Sequence, residues 1–194
     1  LAEFKSLDAH QGVAVDERYV YAVNSRAISK HDKFTGEQKA RWQGEEKDGV
    51  IHLDSGAVYE GKLYCAHSNY PELPMTSSIE VFDTGTLAHV DSHSFGIEFG
   101  SCTWVDRHDG YWWAAFAHYD KASGYPDKDN QWTQVVKFDG QWRKLEAWVL
   151  PEEVLEKFGR YSNSGGSWGP KGYLYLTGHD LAEERQVTLL VAAE

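Results

Sequence analysis

Proline is scarce and cysteine nearly absent: the 194 residues include five Pro and two Cys. Cys65 and Cys102 make no disulfide framework and no zinc-finger spacing. No apolar run approaches the roughly 20 residues of a membrane-spanning helix, so no such anchor is expected. Basic residues are the minority, 19 Lys and Arg against 30 Asp and Glu, which gives a net charge of -11. A surface that acidic repels phosphate backbones, so nucleic acid is excluded as an expected partner and a soluble protein is expected. Helical signals are almost missing too. Only Pro151–Phe158 combines a first-position proline, acids in the first turn and apolar residues at helical spacing, with Gly159 as a stop.

What the chain has in quantity is aromatic residues (14%, with 8 Trp and 11 Tyr) and 18 glycines. Short runs of Val, Tyr, Trp, Phe and Thr are separated by turn residues at steps of roughly ten, the pattern of an all-β fold. Those runs repeat. Gly12-Val13-Ala14-Val15-Asp16 resembles Gly56-Ala57-Val58-Tyr59-Glu60, Cys102-Thr103-Trp104-Val105-Asp106 and, more loosely, Gly166-Ser167-Trp168-Gly169-Pro170. Each is followed by a turn and an aromatic-rich strand. In three units a third strand then ends in a turn at Asp32–Gly36, Asp83–Gly85 or Asp139-Gly140.

The four starts are 44, 46 and 64 residues apart, the longest interval holding the helical stretch. Four-stranded units of roughly 40–45 residues are the signature of propeller blades. The spacing predicts one β-propeller domain over residues 1–194, with four blades of four antiparallel strands and a short helix near 151–158. Too few residues follow Gly166 for four strands, so Glu3–Leu7 is expected to supply the last one, joining both termini in one blade and leaving no open sheet edge. A β-sandwich is the competing reading.

Several segments carry a family resemblance: His10–Asp16, Cys65–Tyr70, Ser162–Pro170 and Tyr175–Asp180. They resemble bacterial β-propeller proteins grouped loosely with the lactonase, gluconolactonase and cycloisomerase-like propellers. The resemblance covers nearly the whole chain and implies a sugar acid or lactone as substrate class, but it supplies no catalytic residues. Such relatives tend to be longer by about a blade.

In a propeller, the start of each innermost strand and the end of the second strand lie on one face. His67, His118 and His179 each close a second strand, where the first unit has Asn24, and His10 and His52 precede innermost strands. His67, His118, His179 and His10 are thus candidate ligands for a divalent metal such as Zn, Mn, Fe or Ni. Gln11, Asn24, His52, Asp54, Asn69 and Asp180 are candidates for the surrounding pocket. The competing role for a strand-end histidine is a hydrogen bond to a backbone carbonyl that ties the fold together. Two long loops follow His67 and His118, and their Tyr70, Tyr119, Tyr125 and Trp132 are candidates for an aromatic wall against a sugar ring. His31, His89, His93 and His108 read as solvated surface.

Two functions follow. The first is a metal-assisted hydrolase, lyase or isomerase acting on a small sugar acid or lactone at the channel mouth. The second is a non-catalytic propeller that binds carbohydrate or protein.

Overall fold

The computed structural model describes residues 3–120, 125–159, 161–179 and 186–192. Among them four antiparallel sheets form in chain order. The first is β1 (Gly12–Val15), β2 (Tyr19–Asn24), β3 (Ala27–Asp32) and β4 (Gln38–Gln43). The second is β5 (His52–Tyr59), β6 (Lys62–Ser68), β7 (Ser77–Asp83) and β8 (His89–Gly96). The third is β9 (Ser101–His108), β10 (Tyr111–Ala117), β11 (Gln134–Phe138) and β12 (Lys144–Val149). The fourth holds three strands, β13 (Asn163–Trp168), β14 (Tyr173–His179) and β15 (Gln186–Ala192). Each sheet is an up-and-down meander, and the innermost strands β1, β5, β9 and β13 pack in succession. This is an all-β propeller, as the repeat predicts.

The near-continuous burial of strands such as β3, β7 and β10 explains the packing, because a strand covered on both faces is buried at nearly every position. Three apolar layers result. Tyr21, Ile28, Leu53, Leu63 and Phe82 fill the layer between blades 1 and 2. Ile79, Phe99, Trp112, Phe116 and Phe138 fill the one between blades 2 and 3. Trp104, Ala115, Leu174 and Leu176 fill the one between blades 3 and 4. Removal from water is worth about 2 kcal/mol for each such large side chain, so these layers hold the blades in line. The helix α1 (Glu152–Phe158) starts after Pro151 and ends at Gly159, and it buries Leu155 and Phe158 in the last layer. Gly166 is required there: a Cβ would lie 2.3 Å from the Trp104 ring.

The outer turns confirm the repeat at atomic level. Asp32, Asp83 and Asp139 each accept backbone N–H groups from the residues just beyond them. Such local bonds fix the third-to-fourth-strand turn in three blades.

The termini do not close a blade in the expected way. Residues 3–7 are not a strand and do not join the last blade. They lie across blade 1. Phe4 packs on the His31 ring at 5.2 Å, Ser6 Oγ is 3.0 Å from Ser29 Oγ, and Asp8 takes a two-pronged bond from Arg41 at 2.8 and 2.9 Å. The Arg41 guanidinium holds the Asp8 carboxyl below its usual range. The polar outer face of blade 1 (Ser29, His31, Arg41) explains the difference, because it offers partners to Ser6 and Asp8. Among the described residues, no apolar layer joins blade 4 to blade 1. Val13 and Val15 on β1 stay 57% and 60% exposed, and Tyr173 and Tyr175 on β14 are partly exposed. No described helix is long and apolar enough to cross a membrane.

Candidate functional site

The register places the start of each innermost strand beside the end of its neighbour. Gly12 pairs with Val23, Leu53 with His67, Ser101 with Ala117 and Asn163 with Gly178. All sequence-derived candidates on these segments therefore reach one face, but their side chains do different things.

His67 is consumed by the fold. Its Nε2 accepts the backbone N–H of Ile51 at 3.0 Å, so the neutral ring carries its proton on Nδ1 and donates to Ser78 Oγ at 2.8 Å. Ser78 donates its hydroxyl hydrogen bond to Glu80 Oε1 at 2.5 Å, and Glu80 also accepts from Ser92 and from His89 Nε2, the latter at 2.7 Å. Burial pushes His67 down to about 4, against an opposing pull from Glu80. His118 donates from Nε2 to the Phe99 carbonyl at 2.9 Å, and its Nδ1 is buried without a partner. Burial lowers this imidazole too. His10 is exposed, in the turn before β1. His179 is described only as the end of β14, and Asp180 lies outside the described residues.

Among the described residues these imidazoles do not converge on one ion. The lone pair that His67 would give to an ion is already used by Ile51, and neutral imidazole has one lone pair. No three His, Cys, Asp or Glu side chains converge among the described residues. Of the histidines expected on the surface, His89 is exposed and reaches Glu80 from there, whereas His31 is buried against Ser29, Ser6 and the Gly36 carbonyl. His93 and His108 are half-buried and stack on Trp142 and Trp168. Neighbours from adjacent strands cover these three, which a linear sequence does not show.

A second group does converge. Gln11 Nε2 donates to Ser25 Oγ at 3.1 Å, and Ser25 Oγ lies 3.2 Å from His52 Nδ1. Ser25 Oγ can still accept a second bond, so His52 Nδ1 donates to it or accepts from it according to the ring's tautomer, and the other ring nitrogen is Nε2. That nitrogen is 3.7 Å from Asp54 Oδ2, too long for a hydrogen bond. Asp54 sits two residues along β5, on the same side of the strand, and is 7% exposed. Among the described residues no N–H or O–H donates to its carboxyl. Burial lowers the His52 imidazole and raises the Asp54 carboxyl well above the usual carboxylate range, so both neutral forms are favoured.

The loops add two aromatic groups, not one wall. Tyr70 stands 5.5 Å from the His52 ring and 5.1 Å from Tyr119, whose hydroxyl burial holds in the neutral form. Tyr125 takes the Met75 N–H at 2.8 Å, and Lys128 Nζ lies 5.3 Å from both the Tyr125 and Trp132 rings. Asn69 pins its own loop through Thr76 and Pro74, and Asn24 accepts the Ser25 N–H.

Inside the face, the innermost strands enclose a cavity of about 490 Å³. Ser55, Ser164, Ser167 and Thr177 supply hydroxyls to its wall, and Asp54 and Asp106 supply carboxyls. Asp106 is engaged across the blade 3–blade 4 seam by Ser167 Oγ at 3.0 Å and the Trp168 N–H at 2.7 Å. Ser25, Ser55 and the cavity hydroxyls escaped the sequence reading, since serine near a turn is common. Glu80 carried a visible signal: a lone acid inside the apolar run Ile79–Phe82. Cys102 is fully buried among apolar side chains, and burial pushes its thiol up, so it is no nucleophile.

No family model matches the chain, and no curated protein matches it. Among solved structures, the chain is similar to the crystal structure of BamB from Moraxella catarrhalis, with 12% identity and a TM-score of 0.46 over 94% of this chain. The chain spans half the length of that structure. The comparisons show no lactonase-like family.

Proposed function

We propose that the protein is a non-catalytic propeller that binds a small molecule or carbohydrate in its axial cavity. One observation carries this reading: a buried carboxyl, Asp54, borders a hydroxyl-lined cavity, and among the described residues no N–H or O–H donates to it. Unpartnered buried polar groups are costly, and a ligand that supplies the missing partner removes that cost. Metal-assisted chemistry on a lactone is the weaker reading, because the His67 lone pair belongs to the fold.

A panel of neutral sugars, sugar acids and small amines, titrated onto the full chain, tests the proposal. Val13→Trp adds bulk at an exposed cavity-wall position and should abolish binding while circular dichroism stays unchanged. Trp132→Ala, at the mouth, should leave binding intact. Binding that survives Val13→Trp but not Trp132→Ala would move the site to the loops. A stoichiometric metal ion that resists chelator dialysis would restore the catalytic reading.

A further inference from the structure

We propose that the axial cavity recognises a primary ammonium group, with the Asp54 carboxylate as its counter-ion. This inference rests on the reading that the cavity is the binding site, and it names the ligand class.

Charge decides the class first. The cavity wall holds two carboxyls and neither Lys nor Arg, within a chain of net charge -11. An anionic ligand, sugar acids included, would meet repulsion without compensation. Asp106 already accepts three donors, from Arg107, Ser167 and Trp168, so Asp54 is the carboxyl left to answer an incoming charge. Its side chain is nine-tenths buried, which removes water as the screening medium.

Donor count decides the rest. A divalent metal of the calcium or magnesium kind demands about six oxygen ligands, and among the described residues no three acidic, His or Cys side chains gather. An ammonium demands three acceptors. One Asp54 oxygen and wall hydroxyls such as Ser55, Ser164 and Thr177 supply that chemistry. Tyr175, partly exposed, lines the same wall, and an aromatic ring near a cation adds attraction.

Protonation gives an independent signature. The titratable groups around Asp54 are His52 on its own strand, Cys102 on β9 and Tyr119 beyond β10, with His10 and Asp106 on the cavity wall. Among these His52, Cys102 and Tyr119 are held neutral by burial, so none supplies a standing cation. The free Asp54 carboxyl holds its proton above the usual range because it is desolvated. Ammonium binding needs the carboxylate. Binding therefore releases a proton, and the affinity strengthens as pH rises until the free carboxyl is ionised.

Ligand-observed NMR titration of the full chain with n-butylammonium, n-butanol and tetramethylammonium tests this. Butylammonium should bind at least tenfold more tightly than butanol, its neutral counterpart, and than tetramethylammonium, which has no N–H. Asp54→Asn should weaken butylammonium at least tenfold, whereas Asp91→Asn, an exposed control of equal charge change, should not. Titrations in two buffers of different ionisation enthalpy should reveal the released proton. Equal binding of butanol, or undiminished binding to Asp54→Asn, would overturn the ammonium inference and leave the cavity reading standing. If neither these probes nor neutral sugars bind, the cavity reading itself falls.

Discussion

Glu80 and Asp54 are both buried carboxyls on strands of the second blade, yet they have opposite surroundings. Glu80 is met by Ser78, Ser92 and His89, with His67 behind Ser78. Asp54 borders a cavity, takes no donor among the described residues and lies 3.7 Å from the His52 ring. Equal burial thus carries opposite meanings. A satisfied carboxyl organises structure, whereas an unsatisfied one beside open volume is a reserve of binding capacity, in line with the general cost of orphaned buried groups.

The largest effect should come from breaking the satisfied partner. Glu80→Ala strands His89, Ser78 and Ser92 and should cost about 3 kcal/mol in chemical denaturation, as removal of one member of a buried set does. A loss below about 1 kcal/mol would mean that water already shares this network.

The pH dependence sharpens the contrast next. His67 titrates near 4 when folded, below its ordinary 6.5, so the unfolded chain takes up the proton first. Stability from this group is complete above 6.5 and is lost as pH falls towards 4. Asp54, raised on folding, works in the other direction, because its proton is held more tightly in the folded chain and its contribution fades as pH rises above 3.8. The two slopes offset each other. In Asp54→Asn the loss between pH 6.5 and 4 should become steeper, and parallel curves for the two proteins would contradict the raised Asp54 carboxyl.

A smaller effect of opposite sign is expected from Asp54→Asn at pH 8, where stability should hold or rise by about 1 kcal/mol because an unpaired buried charge is removed. A marked loss would show that the carboxyl has a partner after all. The smallest effect belongs to an intermediate case, Asp8, which is buried but paired with a partly exposed Arg41. Arg41→Ala should cost about 1 kcal/mol, after allowance for solvent screening. It should also speed proteolysis near residues 3–8.

Much of the architecture was legible. The spacing of Gly12, Gly56, Cys102 and Gly166 gave the four sheets, and Pro151 with Gly159 gave the helix, since these depend on local patterns of turns and apolar residues. The last blade was misjudged, because strand-like composition at 3–7 says nothing about which face will receive it. The site was legible only as a neighbourhood. Strand ends bring Gln11, His52, Asp54, Tyr70 and Tyr119 near one another. The use made of each ring was hidden: the Ile51 N–H that occupies His67 is 16 residues away, and the Phe99 carbonyl that occupies His118 is 19 away.

By itself, then, the sequence determined a repeat of antiparallel sheets, because alternation and turn chemistry act between near neighbours. Only the tertiary structure decided which polar atoms were left over. Satisfaction of a lone pair or a carboxyl depends on donors that arrive from other strands, and the chain's order does not reveal which arrive.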